Sequence, residues 1–135
     1  MIRRRPGQRN SLPTLRHRAV LHVSAKESLT RAIEALGPDG GHIVLEPAVR
    51  TLFEGREYAG NNISIQAYGS RFITSSGLTG PRGNAFSFSG TGLRWRGGRI
   101  IDPNSTDAFF LITGDDALVE GVTFEGCYLP IKLSG

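Results

Sequence analysis

The stretch Ala85-Phe86-Ser87-Phe88-Ser89-Gly90-Thr91-Gly92-Leu93-Arg94-Trp95-Arg96-Gly97-Gly98-Arg99-Ile100 is answered 24 residues later by Phe109-Phe110-Leu111-Ile112-Thr113-Gly114-Asp115-Asp116-Ala117-Leu118-Val119-Glu120-Gly121-Val122-Thr123-Phe124. Phe86 matches Phe110, Phe88 matches Ile112, Trp95 matches Val119 and Ile100 matches Phe124, with glycines repeating at 90/114 and 97/121. Alternate residues of a strand point to opposite faces. If successive turns of chain pair in parallel and in register, like residues stack on like. Inward apolar columns then form a continuous core, and glycines recur where each turn bends. The pattern predicts an all-β chain of stacked rungs, a parallel β-helix.

Working outward, short apolar strands begin near Ile43, Ile63, Asn84, Ala108 and Leu129, at intervals of 20, 21, 24 and 21 residues. On this spacing Ile65, Gly69 and Phe72 are expected to match Phe86, Gly90 and Leu93. Ahead of the rungs, Leu29, Ala32, Ile33 and Leu36 share one face at helical spacing, with Ser24 or Ser28 as the cap and Gly37-Pro38 as the stop. Ala19–Val23 reads as an edge strand, and Asp39-Gly40-Gly41 as the turn into Ile43-Val44-Leu45. A sandwich of antiparallel hairpins turning at Asn61-Asn62 and Asp115-Asp116 is the alternative architecture.

Charge divides the chain. Residues 1–18 carry Arg3, Arg4, Arg5, Arg9, Arg16 and Arg18 and no acid, while the remaining ten bases and twelve acids give a net of −2. The chain reads as a basic, flexible arm over 1–18, an edge strand and helix over 19–42, and rungs over 43–135. Truncation of the rungs at the C-terminus is left open. The arm's six arginines are the candidate docking residues for an acidic surface. The single cysteine, Cys127, allows no internal disulfide. No apolar run approaches the length of a membrane span.

Helix Ala32–Leu36, turn Gly40-Gly41, strand Ile43–Leu45 with Pro47, and the later Leu118-Val119-Glu120-Gly121-Val122-Thr123-Phe124 resemble the pectate-lyase-like β-helix superfamily, which includes many phage tailspikes. The resemblance covers roughly residues 26–135. It implies a right-handed parallel β-helix, here of about five rungs, with an N-terminal capping helix. Members of that superfamily are lyases, hydrolases or inert spikes, so the resemblance is more specific for fold than for function.

Candidate chemistry is sparse. Glycosidases need two carboxylates about 5–10 Å apart. The acids available are Asp102, Asp107, Asp115, Asp116, Glu120 and Glu125. Asp115-Asp116 follows Gly114 at a rung corner, where aspartate favours turns by bonding nearby backbone. Arg94, Arg96 and Arg99 surround Trp95, a pattern found at nucleic-acid and glycan contacts. The register instead turns Trp95 inward and Arg94 and Arg96 outward. Arg96 then sits beside Glu120. His17, His22 and His42 have no metal-ligand spacing. No cofactor is expected.

The reading leans away from an enzyme. It favours a structural or receptor-binding appendage of a phage or phage-like particle, with the arm docked on the particle. A fragment of a carbohydrate-active enzyme and a basic-armed nucleic-acid-associated protein are the alternatives. Phe109 and Leu111 fall on the outward side, where Ala85 and Ser87 stand one rung earlier. They are expected to form a subunit interface, and the resembled spikes imply a homotrimer. Other particle proteins and a host surface glycan are further candidate partners.

Overall fold

The short strands align their apolar side chains in columns, as in-register parallel pairing requires. The computed structural model describes residues 19–79, 84–101, 108–126 and 129–133. These contain β1 (Ala19–Val23), α1 (Leu29–Leu36), β2 (Gly41–Leu45), β3 (Val49–Glu54), β4 (Arg56–Tyr58), β5 (Ile63–Gln66), β6 (Arg71–Thr79), β7 (Phe86–Phe88), β8 (Arg94–Arg96), β9 (Arg99–Ile101), β10 (Ala108–Ile112), β11 (Leu118–Glu120), β12 (Thr123–Glu125) and β13 (Leu129–Leu133). The strands build three sheets, ordered β1-β2-β5-β8-β11, β3-β6-β9-β12 and β4-β7-β10-β13. Every pairing among them is parallel. The architecture is a parallel β-solenoid of about four turns, one fewer than the five rungs expected from the spacing of apolar strands. Parallel pairing excludes the hairpin sandwich.

The 24-residue register holds at its core pairs. Phe110 partners Phe86, Ile112 partners Phe88, Val119 partners Trp95 and Phe124 partners Ile100. The interior is aromatic, with Trp95, Phe86, Phe110 and Phe72 at most 1% exposed. Trp95 lies with its ring centroid 4.9 Å from that of Phe110 and 5.2 Å from that of Phe86. Its indole N–H donates to the Gly97 carbonyl at 3.1 Å, so a buried polar group is satisfied.

The earlier rungs depart from the expected spacing. Ala19 pairs with Gly41 and Gly41 with Ile63, a step of 22 residues, but Ile65 pairs with Trp95, a step of 30. Phe72 pairs with Ile100 rather than matching Leu93. The apparent step from Ile63 to Asn84 runs between two different sheets. Three of the eight extra residues fall within β6 and five between Thr79 and Phe86. Leu52 partners Thr74, yet Glu54 partners Thr79, so the register shifts within the strand.

One corner explains several turn residues together. Gly40, Asn62, Gly92 and Asp116 stand one or two residues before β2, β5, β8 and β11, at equivalent positions on successive rungs, and all four have positive φ, of 77°, 55°, 84° and 57°. Glycine, asparagine and aspartate are the residues that enter this left-handed region most readily. Asp116 is therefore placed by backbone geometry.

α1 forms where Ser28 accepts a hydrogen bond from the Arg31 N–H at 3.2 Å. Ser28, and not Ser24, is the N-cap. The helix buries Leu29, Ala32, Ile33 and Leu36 in the same core as the strands.

Candidate functional site

Two features organise the described surface. The first is an arginine where the core pattern calls for an apolar residue. Arg50 stands in β3, in the column continued by Phe72, Ile100 and Phe124, and is 8% exposed. β3 is an edge strand, so this column ends at Arg50. The guanidinium fans out to backbone carbonyls, donating to Glu27 at 2.9 Å, Glu46 at 3.0 Å, Ser24 at 3.1 Å and Val23 at 3.5 Å. It thereby ties β3 to the β1–α1 connection and the end of β2. Burial pulls its pKa down, while Glu46 and Glu27 pull it back up. Arginine stays protonated nonetheless. Glu27 closes the same loop by accepting the Ser24 N–H at 2.8 Å, and that hydrogen bond holds its carboxyl below the ordinary range.

The second is the corner between the first and second sheets. Tyr68 lies between β5 and β6 and is 51% exposed. Its ring covers Gly97 and approaches Gly121 on the two following rungs. A Cβ added at Gly97 would lie 2.4 Å from the ring, and one at Gly121 would lie 3.5 Å from it. The ring is seated on backbone because both corner residues lack a side chain. Gly97 also has φ +84°, which side chains disfavour. An ion pair flanks the corner on each side. Arg96 meets Glu120 at 3.5 Å on the first sheet, and Arg99 meets Glu125 on the second. Gln66 stands in register with Arg96, and Arg71 with Arg99. The corner offers one aromatic face with donors and acceptors on both sides.

The structure treats the sequence candidates unevenly. Arg96 and Glu120 pair on the outer face as the register requires. Arg94 also faces outward and bonds the Asp116 carboxylate at 3.1 Å. Asp115 and Asp116 are exposed at their turn. Glu120 and Glu125 belong to different sheets, each with its own arginine, and do not form a facing pair. His22 and His42 are exposed on the first sheet. Among the described residues no group of three His, Cys, Asp or Glu is placed to hold a metal. Arg3, Arg4, Arg5, Arg9, Arg16, Arg18, His17, Asp102, Asp107 and Cys127 lie outside the described residues.

The expected exposure of Phe109 and Leu111 is overturned, since they are 0% and 5% exposed within the single chain. Every residue of β10 is buried. The Phe109 ring packs 4.8 Å from Phe110 and 5.5 Å from Phe86, as part of the core. Alternation alone assigns Phe109 and Leu111 to an outer face, but both are buried within the single chain. Neither residue is free to form a subunit surface.

Arg50 and Tyr68 were not among the sequence candidates. Arg50 becomes visible only once β3 and β6 are in register. The Tyr68-Gly69 pair before a strand was a usable signal, because it places an aromatic at a turn. Comparison with known protein families, curated proteins and solved structures finds no match to this chain.

Proposed function

We propose that this protein is a structural or receptor-binding appendage of a phage or phage-like particle, with residues 1–18 as the docking arm. The observation that carries the reading is the stacked parallel solenoid. Its aromatic core runs along the stacking axis, and its ion pairs bridge adjacent rungs. Such a body resists bending because each rung is hydrogen-bonded to the next. A basic segment of six arginines beside a near-neutral body suits attachment to an acidic particle surface.

In this reading the solenoid is right-handed. β1, α1 and β2 form a strand–helix–strand unit with parallel strands, and such crossovers are right-handed in about 98% of cases. α1 serves as the cap of the first rung, closing the core with its four apolar residues. Homotrimerisation would give such a spike lateral stiffness, through surfaces other than Phe109 and Leu111.

Deleting residues 1–18 tests the reading. The truncated chain is expected to keep its β-rich circular dichroism and melting temperature, and to lose incorporation into the parent particle. Normal incorporation without the arm would refute the docking role.

A further inference from the structure

We propose that the groove between α1 and β3 receives an extended acidic peptide segment of another protein, which adds to the free edge of β3 as a further strand of the second sheet. This goes beyond the appendage reading and does not depend on it. An arm deletion reads particle attachment, whereas the test below reads peptide binding by the chain in solution.

The argument starts from topology. The first turn gives a strand to one sheet only. Between β1 and β2 the chain forms α1, so the second sheet begins at β3 and the third at β4. α1 packs chiefly against β1, β2 and β4. A groove of about 1000 Å³ lies between its first turns and β3. Four consecutive strand residues, Val49, Arg50, Thr51 and Leu52, line that groove. A groove over one face of a strand would meet alternate residues only. Contact with all four means that it follows the strand's edge, where backbone N–H and C=O groups have no neighbouring strand. Such an edge is matched by main chain, and an extended peptide extends its ladder. β3 has six residues, or about 20 Å of strand, which sets the length of the segment.

The edge is also unguarded. At the opposite end of the solenoid each edge strand carries a charge or a proline, Glu120 in β11, Glu125 in β12, and Pro130 and Lys132 in β13. Such residues blunt an edge against pairing. Along Val49–Leu52 the only charge, Arg50, is buried, and the outward Val49 is 59% exposed. The buried Arg50 Nε–H has no acceptor among the described residues, and an added strand brings carbonyls to that edge. The lining then selects the side chains. Leu29 and Phe72 are buried on the groove's inner side, so the inward residues of the segment are apolar. Glu34 is engaged by Arg56 at 2.9 Å, and Glu27 by the Ser24 N–H at 2.8 Å. Arg31 is exposed on the groove and has no ion-pair partner among the described residues. The first turn of α1 contains no acid, although the positive end of a helix favours one. The uncompensated charge on the groove is therefore positive, and an acidic side chain on the segment complements it.

The experiment is fluorescence anisotropy on the full chain with three blocked, fluorescein-labelled hexapeptides. The first alternates valine with threonine and has one central threonine replaced by aspartate. The second has lysine in place of the aspartate, and the third is the aspartate peptide with every backbone nitrogen methylated. The aspartate peptide is expected to bind, the lysine peptide to bind at least about tenfold more weakly, and the methylated peptide not to bind. Arg31→Glu should reverse the preference between aspartate and lysine at an unchanged melting temperature, because Arg31 is exposed. Amide exchange at residues 49–52 should slow when the aspartate peptide is bound. Any of five results overturns the proposal. No peptide binds at millimolar concentration; the aspartate preference survives Arg31→Glu; the methylated peptide binds as well as its parent; protection appears at β1 or at β11, β12 and β13 and not at β3; or deletion of residues 1–18 tightens the aspartate peptide by about tenfold or more, which would make the chain's own N-terminal segment the occupant.

Discussion

Replacing Arg50 by methionine removes a cation from the core while keeping most of its stem volume. The parent guanidinium donates to four carbonyls, those of Val23, Ser24, Glu27 and Glu46. Hydrogen bonds from a charged donor contribute about 1.5–3 kcal/mol each when the acceptor has no alternative. Three of these acceptors have one, the Glu46 carbonyl also accepting from the Ser70 hydroxyl at 3.4 Å. Val23 also accepts from the Glu46 N–H at 2.8 Å, and Ser24 from the Glu27 N–H at 3.1 Å. Three of the four contacts are only part-buried, so water can take over some of the bonding. Methionine also relieves the desolvation cost of a buried charge, which in other settings makes such replacements neutral. The balance is a loss of about 2–3 kcal/mol, well short of the sum of four bonds. Arg50→Lys should recover little of it, because one ammonium cannot fan out to carbonyls from four residues. Urea unfolding measures this as a lower midpoint at unchanged slope. Amide exchange should quicken around residues 24–28, where the loop loses its tie to β3. If Arg50→Met lies within about 0.5 kcal/mol of the parent, a surface-like effect, the carbonyl network carries no net stability and the reasoning fails.

Four further outcomes follow from the same geometry. Phe110→Ala should cost about 3–5 kcal/mol, read by chemical denaturation, since Phe110 is fully buried between Trp95, Phe86 and Phe109. Gly114→Ala should cost about 1–3 kcal/mol or more, because its Cβ would meet the Gly90 carbonyl oxygen at 1.9 Å and force two rungs apart; a thermal melt matching the parent would refute that contact. A double-mutant cycle on Arg96 and Glu120 should give a coupling of at most about 1 kcal/mol, falling with salt, as both side chains are over two-fifths exposed. The depressed carboxyl of Glu27 contributes stability that is complete above its unfolded pKa of about 4.3 and is lost as pH falls through the lower folded value; an acid titration of Glu27→Gln should therefore show a smaller loss below about pH 4.3 than the parent.

The sequence showed the solenoid most clearly where rungs are equal in length. From Phe86 to Phe124 the residue pairing could be read directly, because 24 residues separate every matched position and the inward residues are large. It failed from Ile65 to Phe86, where extra chain within β6 and between Thr79 and Phe86 makes a 30-residue step that imitates a shorter one between different sheets. Periodicity cannot distinguish those cases, since both bring apolar residues into plausible alternation. It failed again at Phe109 and Leu111. Alternation assigns one face of a strand to solvent, but every residue of β10 is buried and the Phe109 ring packs with the aromatic core. Tyr68 escaped notice because its setting depends on Gly97 and Gly121, distant in sequence and brought under its ring only by the stacking of rungs.

The outward charges complete the logic of register. Arg94, Arg96 and Arg99 share one turn, and Asp116, Glu120 and Glu125 share the next. Each pair is partly exposed and is individually weak. Together they distinguish one stacking from its neighbours. A one-residue slip would turn Trp95 and Ile100 outward and bring arginines toward the core. Stacking of the arginine turn on a copy of itself would set cation over cation, which cross-strand pairing disfavours. The apolar columns alone are tolerant of a whole-rung exchange, because aromatic and aliphatic residues fill the interior of every turn. Burial thus supplies most of the stability of this solenoid, while the three ion pairs favour the native stacking of the Arg94–Arg99 turn on the turn that follows it; the preceding step sets Arg71 beside Arg99 and draws its register from the apolar column alone.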